Sequence, residues 1–168
     1  MSPSLLALSY FVHLMATVVW IGGLMVLATL VVPEVRRVLA GSAAQTQMLS
    51  RLRLRFTPIS NLCLVILFAT GMFQTVADPN YTDFMVIDTP WSIAIFIKHI
   101  AALGMIVVGG VLQYGIFPAL ERASLLTERG KGDAATDARL RQRETRLTWV
   151  NIVLAVVVLA CTAAATAI

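Results

Sequence analysis

The sequence predicts an all-α integral membrane protein, a four-helix bundle whose spans run up, down, up and down. Three observations carry that prediction. The 168 residues are 58% hydrophobic and only 13% charged, where a soluble domain is about a quarter charged. Four apolar runs stand out, roughly 5–32, 58–77, 91–117 and 147–168, each near the ~20 residues that cross a bilayer. All but one of the 13 Lys and Arg residues lie in just two of the connecting segments.

The first run has no Lys or Arg ahead of it, and it exceeds the ~7–15-residue apolar stretch of a signal peptide. It therefore reads as a retained span. The segment 33–55 carries Arg36, Arg37, Arg51, Arg53 and Arg55. The segment 118–146 carries Arg122, Arg129, Lys131, Arg139, Arg141, Arg143 and Arg146. Between the second and third runs, 78–89 has no basic residue and holds Asp78, Asp83 and Asp88. The positive-inside rule then expects a multi-pass protein of the inner (plasma) membrane, with both basic segments cytoplasmic and both termini outside. The net charge of +4 belongs with anionic lipid headgroups of the bilayer. No nucleic-acid-binding motif accompanies it, and no nucleic acid is expected as a partner.

The turns between spans have suitable chemistry. In "AGSAAQ", Gly41 is a helix stop, Ser42 an N-cap and Gln45 the far side of a capping box. In "RGKGDAATD", Gly130 and Gly132 break the helix and Asp133 caps the next. The helices are expected to continue beyond the hydrocarbon at 35–39, 48–55 and 134–146. Trp91 and Tyr81 suit the outer interface, Trp149 and Tyr114 the inner one.

The chain also resembles itself. "HLMATVVWIGGLMVLATLVVPEVRR" and "HIAALGMIVVGGVLQYGIFPALERA" both read His, Gly-Gly, Pro, Glu and Arg in order. "RFTPISN" and "RLTWVN" follow them. This likeness predicts one four-span domain over residues 1–168. It would comprise a hairpin over 1–77, an external acidic loop over 78–89 and a hairpin over 90–168. A pseudo-twofold axis would run along the membrane normal.

The only histidines, His13 and His99, are each about nine residues in from the outer end of spans one and three. At ~1.5 Å per residue both lie roughly 13 Å deep. Spans one and three are diagonal in such a bundle, so two imidazoles at one depth can ligate a metal or a haem iron from opposite sides. The plainer account of each is a neutral ring hydrogen-bonded to a neighbouring helix. Small residues flank both, and Trp20, seven residues from His13, offers a wall with an indole N–H for a polar partner. Gly22, Gly23, Gly109 and Gly110 suit close helix packing.

Lys98, beside His99, is the one basic residue inside a span. Charge at that depth costs several kcal/mol unless compensated. It either snorkels outward or meets an anionic group such as a haem propionate, since no span contains Asp or Glu. Cys63 and Cys161 differ in depth by roughly 12 Å, too far for a disulfide, and read as packing residues. No CxxCH haem-attachment site, zinc spacing, P-loop or GxSxG occurs.

"HLMATVVWIGGL" and "WSIAIFIKHIAAL" carry a family likeness. They resemble the copper-resistance protein D (CopD) family, whose helices often read His, six residues, Trp, one residue, Gly-Gly. HemJ-type membrane haem proteins look distantly related. Their His and Trp seven apart and a lysine in a later helix match His13, Trp20 and Lys98. The resemblance implies a haem-linked membrane oxidoreductase or copper handling. HemJ-type proteins place Pro-Arg soon after the tryptophan, whereas the region around Leu27 and Ala28 is apolar here. Protoporphyrinogen oxidation is therefore the less favoured activity.

Together these observations predict a b-type haem protein for electron transfer or redox chemistry. His13 and His99 are its metal ligands, and Lys98 and Trp20 line the cofactor. Electrons would pass to a quinone, a partner membrane subunit or a homo-oligomer. The alternatives are a copper ion held or transported by a CopD-type protein, and a structural subunit of a membrane complex. The seven methionines form no MxxM or MxM cluster of the kind copper(I) favours.

Overall fold

The computed structural model describes residues 2–40, 42–81 and 87–167. Gly41 and Asp83, given roles above, lie outside them. The described residues form an all-α bundle of four helices: α1 (Pro3–Val38), α2 (Ala43–Ala77), α3 (Pro90–Thr127) and α4 (Ala134–Ala167). Each is long and apolar enough to cross a membrane, and helices satisfy their own backbone groups in lipid.

Local chemistry sets the ends. Pro3 and Pro90 occupy first-turn positions, where a missing N–H costs nothing. Ser42 Oγ accepts the Gln45 N–H at 3.3 Å. Gln45 does not complete a capping box, because the Ser42 N–H goes to the Leu39 carbonyl at 3.1 Å instead. The reciprocal box forms at α3, where Thr89 Oγ1 accepts the Ser92 N–H at 3.1 Å and Ser92 Oγ accepts the Thr89 N–H at 3.0 Å. Gly130 takes φ +70 after α3, a conformation that glycine adopts without strain.

The helices run antiparallel within each half. Ser9 meets Gln74, His13 meets Thr70 and Trp20 meets Ser60, so α1 rises as α2 falls. Gly104 of α3 faces Leu154 of α4. The two halves join in a core of Ala16, Trp20, Ile21, Cys63, Met105 and Ala155, drawn from all four helices. The outer surface is the reverse of a soluble protein's. Phe68 is 71% exposed and Phe11 61%, while Ala155 is fully buried. Lipid covers that apolar exterior, so cohesion comes from close packing and polar contacts rather than from hydrophobic exclusion of water.

α1 and α3 share a backbone irregularity. The Val32 N–H reaches back five residues to the Leu27 carbonyl, and the Phe117 N–H to that of Leu112. These wide turns directly precede Pro33 and Pro118. A proline ring clashes with the carbonyl four residues back in a regular helix, and a π-turn displaces that carbonyl. The irregularity recurs at the corresponding place in the two similar segments, directly before each proline.

Two expectations need correction. Trp91 is not at the interface. It lies on the inward stripe of α3 with Ala94, Ala101 and Met105 and is buried. Among the glycine pairs only Gly23 serves close packing, since a Cβ there would stand 2.5 Å from Phe56 Cε2. Gly22, Gly109 and Gly110 have nothing within 4 Å of that position. Tyr114 and Trp149 are exposed at the arginine-rich end, as interfacial residues should be.

Candidate cofactor site

His13 sits in α1 one turn before buried Ala16 and seven residues before buried Trp20. It is half-buried, with its ring toward α2. Its Nδ1 lies 2.8 Å from Thr70 Oγ1. The Thr70 hydroxyl has one proton and donates it to the Ile66 carbonyl at 2.6 Å. Its oxygen therefore accepts from His13, which puts the imidazole proton on Nδ1 and leaves Nε2 with a free lone pair. Gly71 lies beneath the ring, where a Cβ would stand 3.4 Å from His13 Cε1, an ordinary contact.

His99 in α3 reaches the same tautomer by another route. Its Nδ1 is 2.7 Å from the Ile95 carbonyl, which can only accept. The Nδ1–H is again committed and Nε2 again bare. A histidine that ligates a metal through Nε2 ordinarily donates Nδ1–H to an oxygen in this way.

The structure distinguishes the bearings of the two neighbours in α3. Lys98 falls on the inward stripe, four residues after Ala94 and three before Ala101. Its ammonium is close enough to His13 and to Cys161 of α4 to act on both electrostatically. It makes no ion pair or hydrogen bond among the described residues. His99 points about 100° round the helix from Lys98. Its neighbours one and two turns on, Leu103 and Ile106, are 57% and 46% exposed. His13 thus shares the α1 stripe of Ala16 and Trp20, and Lys98 the inward stripe of α3, whereas His99 is turned aside from that stripe.

Trp20 is part of the core. Its Nε1–H donates to Ser60 Oγ at 2.9 Å, so the indole ties α1 to α2 and has no N–H left for a cofactor. Cys63 and Cys161 are free thiols.

Sequence reasoning missed Thr70 and Ser60, the partners of His13 and Trp20. The available signal was depth: each lies on α2 opposite its partner when the two helices are run antiparallel. Asn151, a polar residue of the inner half of α4, buries its side chain with Oδ1 unpaired among the described residues.

His13 and His99 each leave Nε2, and Lys98 its ammonium, without a partner among the described residues, but His99 is turned aside from the other two. For a metal ion bound directly, no group of three or more His, Cys, Asp or Glu residues is assembled among the described residues.

No curated protein and no solved structure matches the chain. A family model described as copper resistance protein D matches residues 50–165. The match takes in Thr70, Lys98 and His99, and begins after His13 and Trp20. Spanning more than half of the sequence, it shows that this multi-pass membrane protein belongs to the CopD family.

Proposed function

We propose that the protein is a b-type haem carrier of the membrane, acting in electron transfer. The matching tautomers of His13 and His99 carry this reading, because both leave Nε2 available for iron. Haem supplies one-electron chemistry when bound. His13, fixed by Thr70, would be the principal residue holding the iron, and His99, on the flank of α3, would be a second one only if its ring turned inward. Lys98 balances a propionate, which accounts for an ammonium inside a span that holds no acid. The core beside the site excludes water and favours transfer over side reactions. Electrons pass to a quinone or partner subunit. The arginine-rich end faces the cytoplasm, which places both termini outside, in the inner membrane.

Spectroscopy of the purified full-length protein tests this. A Soret band and a sharp α-band on reduction are expected. His13→Ala should abolish them, whereas His99→Ala should retain haem with the spectrum of a five-coordinate iron. Lys98→Met should lower the midpoint potential, since a positive charge near the iron favours the reduced state. If the protein carries no haem when expressed with an adequate supply, the reading fails.

Membership of the CopD family favours a second reading, a copper ion held by His13 and His99. Elemental analysis of the same sample separates the two, with iron in one case and copper in the other.

A further inference from the structure

We infer that α4 carries a site for one anionic phospholipid at the arginine-rich end of the bundle, with Arg139, Arg143 and Arg146 holding its headgroup phosphate. The three follow one another at intervals of four and three residues, which aligns them on one helix face. With Thr136, Leu140 and Gln142 they line an open groove of about 510 Å³. All three are exposed and make no hydrogen bond or ion pair among the described residues. Arg51, Arg55, Arg122 and Arg129 are also exposed and unpaired among the described residues but do not line this groove, and the remaining arginines are engaged. Arg36 and Arg53 bind Glu144, Arg37 binds Glu34 and Arg141 binds Asp137. The positive charge in this groove is thus uncompensated by the protein.

The same face says which anion fits. Past Arg146 the stripe continues through Val150 and Val153, exposed by 42% and 59%, with Trp149, 55% exposed, at its edge. Cations give way to lipid-facing apolar residues within one turn. A free phosphate would use only the first part, whereas a phospholipid uses both, with its chains along Val150 and Val153. Depth agrees. The apolar run of α4 begins at Leu147, so Arg146 stands at the hydrocarbon boundary. Arg143 is ~4.5 Å beyond it, inside the headgroup layer, and Arg139, at ~10 Å, stands at that layer's outer edge. The headgroup layer is about 5–8 Å thick on each side. Guanidinium groups suit this task because their planar forks pair with phosphate oxygens two at a time.

Native mass spectrometry of the full-length protein in a non-ionic detergent tests the site. The protein is titrated with phosphatidylglycerol and, separately, with phosphatidylcholine of the same chains. One phosphatidylglycerol should be retained, preferred on the order of a hundredfold, at about fivefold for each arginine. The Arg139→Gln/Arg143→Gln/Arg146→Gln variant should bind the two lipids alike. The Arg51→Gln/Arg55→Gln/Arg122→Gln variant, with the same loss of charge from exposed positions elsewhere, should keep the preference. Should the triple variant lose its helicity, single replacements at Arg139 and Arg143 carry the test, each costing about fivefold. The inference is overturned by equal retention of both lipids in the wild type, or by equal loss in both triple variants. Displacement of the lipid by millimolar inorganic phosphate also overturns it, since that would show a free-anion site.

Discussion

At the scale of single residues, the decisive features are small. Gly23 lets the Phe56 ring lie against α1, and an alanine there would put a carbon 2.5 Å from Cε2. Gly23→Ala should therefore lower stability by about 1–3 kcal/mol, the usual cost of overpacking. Gly22→Ala, with open space around it, should be neutral or slightly stabilising because alanine is the better helix former. Thermal melts of the two variants in detergent check the contrast, and Phe56→Leu should recover part of the Gly23→Ala loss. Thr70 works through His13 rather than on a cofactor directly. In Thr70→Val the imidazole loses its oxygen acceptor, and the ring can turn and exchange its tautomer. Under the haem reading, Thr70→Val should keep the Soret band but broaden its α-band and shift the potential. An unchanged spectrum would show that Thr70 does not set the ring.

At the scale of elements, much was legible in the sequence because hydropathy and helix-ending residues act locally. The four apolar runs became α1–α4, and Ser42, Asp133 and Gly130 act at the boundaries where they were expected. Residues whose role depends on bearing were harder to read. Lys98 and His99 are adjacent in sequence, yet only the packing of α3 shows that Lys98 takes the inward stripe. Trp91 was misplaced for the same reason, since an aromatic residue near a span's end suits either an interface or a core. The π-turns before Pro33 and Pro118 were legible only as prolines in a repeat. Asp133 shows what a local signal does predict. Its carboxylate accepts the Thr136 hydroxyl at 2.5 Å and the Ala135 N–H at 3.0 Å. The Thr136 bond, then the Ala135 bond, holds the carboxyl below its usual range. A lowered folded-state pKa means that the cap is intact above the unfolded value, about pH 4, and is lost as pH falls through the folded value. Amide exchange over 134–137 should accelerate in acid relative to the rest of α4. Asp133→Ala should be fast at every pH, with that dependence gone.

At the scale of the whole molecule, one carboxylate holds the arginine-rich end together. Glu144 of α4 is buried and accepts Arg36 of α1 at 2.6 Å and Arg53 of α2 at 2.5 Å. The Arg53 guanidinium in turn lies 4.4 Å from the Phe117 ring centroid of α3, a cation–π contact. All four helices therefore converge on Glu144, and the link joins one hairpin to the other. No local pattern announces it, because its partners are 108 and 91 residues away in sequence. The cluster gives Glu144→Ala a definite consequence. Two guanidinium groups, 26% and 21% exposed, would lose their anion, and Arg36 Nε is already buried without a partner. Removing one member of such a network costs about 3–5 kcal/mol, whereas replacing all its members with apolar residues of similar size is often neutral. Glu144→Ala should thus melt well below wild type, and Arg36→Met/Arg53→Met/Glu144→Leu should recover most of the loss. If the network only decorates the surface, Glu144→Ala would melt with the wild type. If the triple variant stays as unstable as Glu144→Ala, the charges also select how the hairpins dock, beyond the stability that apolar packing restores.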